Sequence, residues 1–322
     1  MQVAVDHDML VLAELNPDVI VATESDVRFG QVEQLVDRAA ITLGSSGAIT
    51  ACAAAALGMR VALCGVIGDD AAGAMTVELL EAHGVDVSGV IRRELAATGM
   101  TVVLTRNSGD RALLTFPGTM GDLRAEDVPS GLLDHARHVH VSSYYLQTGI
   151  RQGLAELFDS CRSAGRTTSL DTGWDPDERW VSVLDALHAV DVLLPNVEEC
   201  TRIGEAAGLD GGVLDVARAL HRSSGATIAL KLGAEGAAVV SADATSRIHT
   251  TPVVPVDTTG AGDNFNAGYL AAMLDGATPS ESAARAAACG AISVQGFGGT
   301  GRLPGHDEAV ALAATYRIED GR

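Results

Sequence analysis

Apolar runs of strand length alternate with longer segments of helical periodicity along almost the whole 322-residue chain. Strands are predicted at Val61–Val66, Val139–Ser142, Thr168–Asp171, Val192–Leu194 and Ile228–Leu232, where the apolar run is continuous enough to be buried on both faces. Between them, apolar positions recur at helical spacing over Ala71–His83, Arg151–Ala164, Val213–Arg222 and Ser280–Val294. Such alternation predicts a mainly parallel sheet with helices on both faces, a Rossmann-like three-layer α/β/α domain. One stretch breaks the rhythm. Met100–Leu104 and Ala112–Phe116 are β-rich and flank the turn cluster Asn107-Ser108-Gly109-Asp110, which predicts an antiparallel hairpin. With the β-like segment Val19–Thr23 it predicts a small second sheet projecting as a lid. Trp174 and Trp180 bracket what reads as a loop running into a helix.

Composition narrows the function. The chain is 47% hydrophobic and 20% charged, which fits a packed globular protein and excludes general disorder. Its 42 acidic and 22 basic side chains give a formal charge of −20, a field that repels nucleic acid and anionic membrane surfaces. Lys231 is the sole lysine and is followed by Leu232, so the Gly-Lys-Ser/Thr of a Walker-type phosphate loop is absent. Cys52, Cys64, Cys161, Cys200 and Cys289 are odd in number and widely spaced, the pattern of reduced thiols in a cytoplasmic protein. Met1 to Asp8 lacks the basic and apolar regions of a signal peptide, and the apolar stretch Ile49–Ile67 is interrupted by Arg60. A soluble cytoplasmic protein is expected. His138-x-His140 sets two imidazoles on one strand face with no third metal-ligand type beside them. Gly296-x-Gly298-x-x-Gly301 matches a dinucleotide fingerprint, but the roughly 20 residues after it read as one helix and no second strand, too little for a βαβ unit.

Chemistry concentrates in Val256-Asp257-Thr258-Thr259-Gly260-Ala261-Gly262-Asp263-Asn264-Phe265-Asn266-Ala267-Gly268-Tyr269-Leu270. Phe265, Tyr269, Leu270 and Met273 follow at helical spacing, so a helix is predicted from near Gly262. The Gly-Ala-Gly run ahead of it can aim several backbone N–H groups at one anion. Asp263 either caps that helix or accepts a proton from a hydroxyl attacking phosphorus. The tandem with Asp257, Thr258 and Thr259 favours the second task. Asn196 and Glu199, three apart after a predicted strand, fit either a capped helix start or a hydrated Mg²⁺.

These residues resemble the C-terminal signature of the ribokinase-like (PfkB) carbohydrate kinase family, and further segments follow in that family's order. Asn16-Pro17-Asp18 is similar to its early sugar-contacting Asn-x-Asp, and Gly65-Val66-Ile67-Gly68-Asp69-Asp70 to its Gly-x-x-Gly-x-Asp turn. Pro195-Asn196…Glu199 resembles its Asn-x-x-Glu motif, and Leu232-Gly233…Gly236 its nucleotide-side strand and turn. The resemblance covers roughly residues 10 to 305, in the order motifs are read. It implies one kinase domain over 1–322 with a β lid drawn from about 15–45 and 97–120. It implies ATP and Mg²⁺, transfer of the γ-phosphate to a sugar or nucleoside hydroxyl, Asp263 as base, and Gly260, Ala261 and Gly262 as the anion hole. Asn16, Asp18, Gly44, Ser45 and Ser46 would meet the substrate; Asn196, Lys231, Gly233, Gly236, Gly260 and Gly262 would meet ATP. Glu199 and Asn196 would hold Mg²⁺ through water, and Asp257 resembles a position that helps hold a monovalent cation, K⁺, in some members. The glycine loop 296–301 would lie beside the nucleotide, and a homodimer through the lids is implied.

The chain departs from the family pattern near residue 44. Where Gly-Gly-Lys-Gly-x-Asn is common, it has Gly44-Ser45-Ser46-Gly47-Ala48-Ile49, so Ser46 replaces the lysine and Ile49 the asparagine. One substrate-binding arm is therefore expected to be missing. Lys231 stands where many members carry a small polar residue. Three readings are carried forward: a sugar kinase, a nucleoside kinase stacking a base on Phe116, Tyr144 or Tyr145, and a catalytically silent sugar-binding regulator.

Overall fold

The computed structural model describes residues 6–106 and 111–321. Among them the chain forms, in order, β1 (His7–Leu12), β2 (Pro17–Ala22), β3 (Arg38–Leu43), α1 (Ser46–Ala56), β4 (Val61–Gly68), α2 (Ala71–Ala82), β5 (Asp86–Arg93), β6 (Met100–Thr105) and β7 (Arg111–Phe116). It continues with α3 (Ser130–His135), β8 (Ala136–Val141), α4 (Leu154–Ser163), β9 (Thr167–Leu170), β10 (Val192–Leu193), α5 (Val197–Ala206), α6 (Val213–Ser224) and β11 (Thr227–Lys231). It closes with β12 (Ala237–Val240), β13 (Thr245–His249), α7 (Ala261–Leu274), α8 (Pro279–Ser293), α9 (His306–Ala313) and β14 (Arg317–Gly321).

The main sheet runs β14-β13-β12-β11-β10-β9-β8-β1-β4-β5. It is parallel from β11 through β5 and antiparallel from β11 to β14. Period-2 alternation divides its apolar side chains between two cores. Met9, Val11 and Leu63 face α1, α7 and α8, whereas Leu10, Leu12, Val139 and Val141 face the opposite helical layer. The expected continuous strands form within three residues of their predicted ends, the largest difference being β8, which starts at Ala136. The apolar stretch over residues 49–67 is α1, a turn and β4, and among the described residues no helix is long and apolar enough to cross a membrane.

The second sheet has the order β3-β2-β6-β7. Its hairpin pairs Met100 with Phe116 and Thr105 with Arg111, antiparallel as expected; the turn predicted at 107–110 lies outside the described residues. Strand β3 escapes sequence reading because its residues are mostly exposed and lack a buried face.

Two expectations are corrected. A strand does follow the glycine loop and α9: β14 pairs antiparallel with β13 at the sheet edge. It is wholly exposed, with Ile318 alone among charged neighbours, so no hydrophobic period announces it. Its antiparallel pairing still leaves no βαβ unit after Gly301. Residues 174–180 form a turn instead of a helix start. The Asp175 carboxylate accepts N–H bonds from Asp177 (3.1 Å), Arg179 (2.9 Å) and Trp180 (2.8 Å), a local arrangement that competes with helix.

Parallel strands bring their carboxyl ends to one edge. Ala13–Asn16 after β1, Ser142 after β8, Asp171 after β9 and Asn196 after β10 therefore gather beneath the small sheet, in the crevice where open α/β sheets bind ligands.

Candidate active site

The turn entering α7 needs its glycine. Gly260 has φ +75°, and a Cβ there would lie 2.6 Å from the Gly299 Cα. Asp257 ties this turn to the glycine loop: its Oδ1 accepts the Thr259 N–H (2.9 Å) and hydroxyl (2.8 Å), and its Oδ2 accepts the Gly298 N–H (2.9 Å). Asn264 adds bonds from Nδ2 to the Gly260 and Gly299 carbonyls, at 2.8 and 3.2 Å. What remains is a first helical turn whose early N–H groups have no intrahelical partner, with Ala261 and Gly262 lining a cavity. The glycine loop and the turn entering α7 are thus in contact.

Asp263 is the third residue of α7. It accepts a hydrogen bond at Oδ1 from the Ser46 hydroxyl, which opens α1. Burial first, then the negative charge of Asp171, pushes the Asp263 carboxyl up to about 7, against the lowering influence of Ser46, Lys231 and Arg111. Glu14, at the end of the β1 segment, accepts the Ser46 N–H at Oε1 (3.0 Å). Burial raises it to about 7 as well, against the lowering influence of the Ser143 hydroxyl. Ser45 offers nothing to the crevice. Its hydroxyl donates to the Glu14 carbonyl and accepts the Ala48 N–H (3.0 Å), capping α1.

A buried ion pair lies behind this turn. Lys231 Nζ is 2.6 Å from Asp171 Oδ2, and Asn266 Nδ2 donates to the same oxygen at 2.5 Å. Burial alone would raise Asp171, but the Lys231 ammonium and these bonds hold it below the usual carboxylate range. Asn196 and Glu199 form a reciprocal capping box on α5. The Asn196 Oδ1 accepts the Glu199 N–H (2.9 Å), and the Glu199 Oε2 accepts the Asn196 N–H (2.8 Å). Burial, followed by the Asp171 charge, raises Glu199 to about 7. Asp171, Glu199 and Asp263 thus share one ammonium. Among the described residues no three His, Cys, Asp or Glu side chains form a metal cage. A carboxylate-rich site without a cage suits a cation that keeps its water and binds few protein ligands, which is the habit of Mg²⁺. Beside the turn, a cavity of about 330 Å³ is lined by Lys231, Gly233, Gly236, Gly262, Phe265 and Val294 among others.

On the other side of Asp263, Asn16 Nδ2 donates to Asp18 Oδ1 at 2.9 Å. Gly44 must be glycine here, since a Cβ would come within 2.2 Å of that oxygen. Burial raises Asp18 to about 6, against the lowering influence of Asn16 and Arg111. Ile49, in the place of the family asparagine, is buried against Gly260 and Gly299 and stiffens the turn. Tyr144 and Tyr145 are buried and donate to the Ser182 (2.8 Å) and Trp180 (3.0 Å) carbonyls, so neither is available to stack on a substrate.

Sequence reading missed Glu14, Asp171, Asn266 and Arg111. A usable signal existed for the first two, because each is a carboxylate at the carboxyl end of an apolar parallel strand. Arg111 is brought to Asp18, Thr259 and Asp263 only by the fold of the lid hairpin.

The family model described as pfkB family carbohydrate kinase matches residues 6–305. This chain belongs to that family. As a pfkB-family member it is an ATP-dependent kinase of the sugar and nucleoside class. It is similar to an ATP-dependent ribose-1-phosphate kinase of Halopiger xanaduensis, 31% identical over 283 residues, covering 86% of this chain and 88% of the relative. A nucleoside kinase of Methanothermobacter thermautotrophicus is 27% identical over 270 residues, 83% of either chain. A solved structure described as a ribokinase II of E. coli in complex with ATP and Mg²⁺ superposes with a TM-score of 0.82. At 19% identity over 96% of this chain and 99% of that one, it shows that this kinase shares the ribokinase-like fold.

Proposed function

We propose that this kinase transfers the γ-phosphate of ATP to a sugar hydroxyl, with Asp263 as general base and the Gly260–Gly262 turn as anion hole. The carrying observation is the Ser46 hydroxyl held on the Asp263 carboxylate at the mouth of α7: a carboxylate that receives one hydroxyl there can receive a substrate's. Ionised Asp263 takes the proton as the substrate oxygen bonds to phosphorus and the bond to ADP breaks. First-turn amides hold the equatorial oxygens through transfer, a positioning and charge-stabilising task rather than a covalent one. Asn16 and Asp18, ordered against each other and roofed by Gly44, hold further sugar hydroxyls.

ATP lies along the 330 Å³ cavity, its phosphates passing Lys231 toward Gly262. Glu199 and Asn196 would hold Mg²⁺ through water, and the ion would offset phosphate charge beside three carboxylates. A fold neighbour described as a complex with ATP and Mg²⁺ supports the choice of these two ligands. With five free buried thiols the protein is read as cytoplasmic.

A nucleoside acceptor is the second reading, favoured by the nucleoside kinase among the relatives. Of the three aromatic side chains expected to stack on a base, Phe116 alone is exposed. The silent-regulator reading loses ground because Asp263 and the glycine turn are intact and assembled. The test is ATP consumption over a panel of sugars, sugar phosphates, sugar acids and nucleosides, paired with thermal shift. Turnover with a sugar supports the first reading, turnover with nucleosides alone the second, and stabilisation without ADP formation the regulator.

A further inference from the structure

Behind Asp263 the hydrogen bonds continue. The Ser46 hydroxyl lies 3.2 Å from the Ser142 hydroxyl, which lies 3.3 Å from His140 Nε2. His140 Nδ1 is 2.7 Å from the Ser169 hydroxyl, and that hydroxyl is 2.7 Å from His138 Nε2. His138 Nδ1 reaches the Thr167 hydroxyl at 2.7 Å. Ser142, His140, Ser169 and His138 are fully buried, whereas Thr167 is exposed at the amino end of β9. The row crosses roughly 13 Å of sheet, the rise of the four residues from Thr167 to Asp171.

We propose that Ser46, Ser142, His140, Ser169, His138 and Thr167 form a proton path from Asp263 to solvent, by which the proton taken from the acceptor hydroxyl leaves the closed site. This rests on Asp263 being the base.

Placement argues for a path over ordinary core satisfaction. His138 pairs with Thr167 and His140 with Ser169 across β8 and β9, so the polar side chains share one face in register. Their other neighbours on that face, Met9 and Val11 of β1, are apolar and buried. An apolar stripe would have filled the same space without polar groups to satisfy. The row begins on the carboxylate that gains a proton in each turnover and ends at water. Ser46 completes it where the family pattern places a lysine, whose ammonium lacks the acceptor a relay needs. Burial holds His138 near 3 and His140 near 4, so both rings are neutral and offer one donor and one acceptor each.

The bonding is consistent along its length. With Asp263 ionised, Ser46 donates to it, Ser142 to Ser46, the His140 Nε2–H to Ser142, Ser169 to His140 Nδ1, the His138 Nε2–H to Ser169, and Thr167 to His138 Nδ1. This polarity is the one left after a proton has departed. In that departure protonated Asp263 gives its proton to Ser46, each group gains one on its inner side and yields one on its outer side, and Thr167 passes a proton to water. No charge stays on the row. It resets while Asp263 is protonated, the hydroxyls rotating and each ring losing its Nε2 proton to, and gaining an Nδ1 proton from, water admitted by local opening of the strands.

Ser169→Ala removes the atom joining the two rings, and Thr167→Val removes the surface hydroxyl. Both are expected to lower kcat by about tenfold, less than the 10²–10⁴ of a lost base, with KM for both substrates unchanged. Thr167→Ser is expected to restore the parent rate. The solvent isotope effect on kcat should show a curved proton inventory in the parent and a linear one in Ser169→Ala. A readout independent of turnover is the ¹⁵N spectrum of the rings: both are Nε2–H in the parent, and Asp263→Asn, whose amide can donate to Ser46, should convert them to Nδ1–H. Parent-like kcat and isotope effect in Ser169→Ala and Thr167→Val, with Asp263→Asn inactive, overturn the path and leave the base in place. Unchanged ring tautomers in Asp263→Asn also overturn it. Full turnover by Asp263→Asn removes the base and the path together.

Discussion

Lys231 and Asp171 meet at 2.6 Å with 13% and 6% of their side chains exposed, the lone lysine of the chain against a carboxylate that also accepts from Asn266. Removing one partner of such a pair strands the other's charge, so Lys231→Met is expected to cost about 3–5 kcal/mol in urea melts at pH 7. A loss below about 1 kcal/mol, the range of an exposed pair, would mean the pair is not desolvated as described. Glu14 behaves oppositely. Its carboxyl is raised to about 7 by burial, against about 4.3 in an unfolded chain. Between those values the folded state holds the extra proton, so this group's contribution to stability is complete at low pH and is lost as pH rises toward 7. Glu14→Gln, which keeps the acceptor for the Ser46 N–H, should therefore gain on the parent as pH is raised from about 4.5 to about 7, and a gap that narrows or stays constant refutes the assignment. At this scale sequence was informative about Asp263, Asn16 and Asp18, whose spacing is a motif. It was silent on the Ser46–Asp263 bond, which joins residues 217 apart and shows only once α1 and α7 are packed.

The glycine turn and α7 act as one element. Gly260→Ala must accommodate a side chain at φ +75° and 2.6 Å from the Gly299 backbone, so the turn shifts and its amides lose their aim. A loss of about 10²–10³-fold in kcat, the scale of a removed anion-hole donor, is expected with the fold retained by circular dichroism. Parent-like kcat would show that these amides do not hold the transferring group. Asp70, between β4 and α2, shows the same economy of placement where the main body meets the lid. It caps α2 through the Gly73 N–H (2.8 Å) and accepts the N–H (2.8 Å) and hydroxyl (2.7 Å) of Thr98, fixing the chain as it enters β6. Elements were legible where burial imposed a continuous apolar run, as in β4, or a helical period, as in α8. They were not where solvent faces both sides, as in β3 and β14, or where a carboxylate replaces helix bonds, as at Asp175.

For the molecule as a whole, the two-core sheet was readable because continuous apolar runs alternate with amphipathic ones, and the lid because a β-rich pair interrupts them. The lid's use was less readable. Ile41, Leu113, Leu114 and Phe116 are exposed on it, more apolar surface than a closed monomer needs there. Self-association through the lid is expected, so Leu114→Arg should halve the mass seen by analytical ultracentrifugation; a parent that sediments as a monomer contradicts it. The charge of −20 bears on the site too, since phosphates enter an acidic protein only where backbone N–H groups, Lys231 and a divalent ion outweigh the carboxylates. The most direct measurement is rapid-quench transfer from γ-labelled ATP, in a single turnover, by the parent and Asp263→Asn. Transfer about 10²–10⁴-fold slower in the variant, with unchanged ATP affinity and melting temperature, is the result expected of a lost general base. Transfer at the parent's rate would show that the proton leaves the acceptor without Asp263.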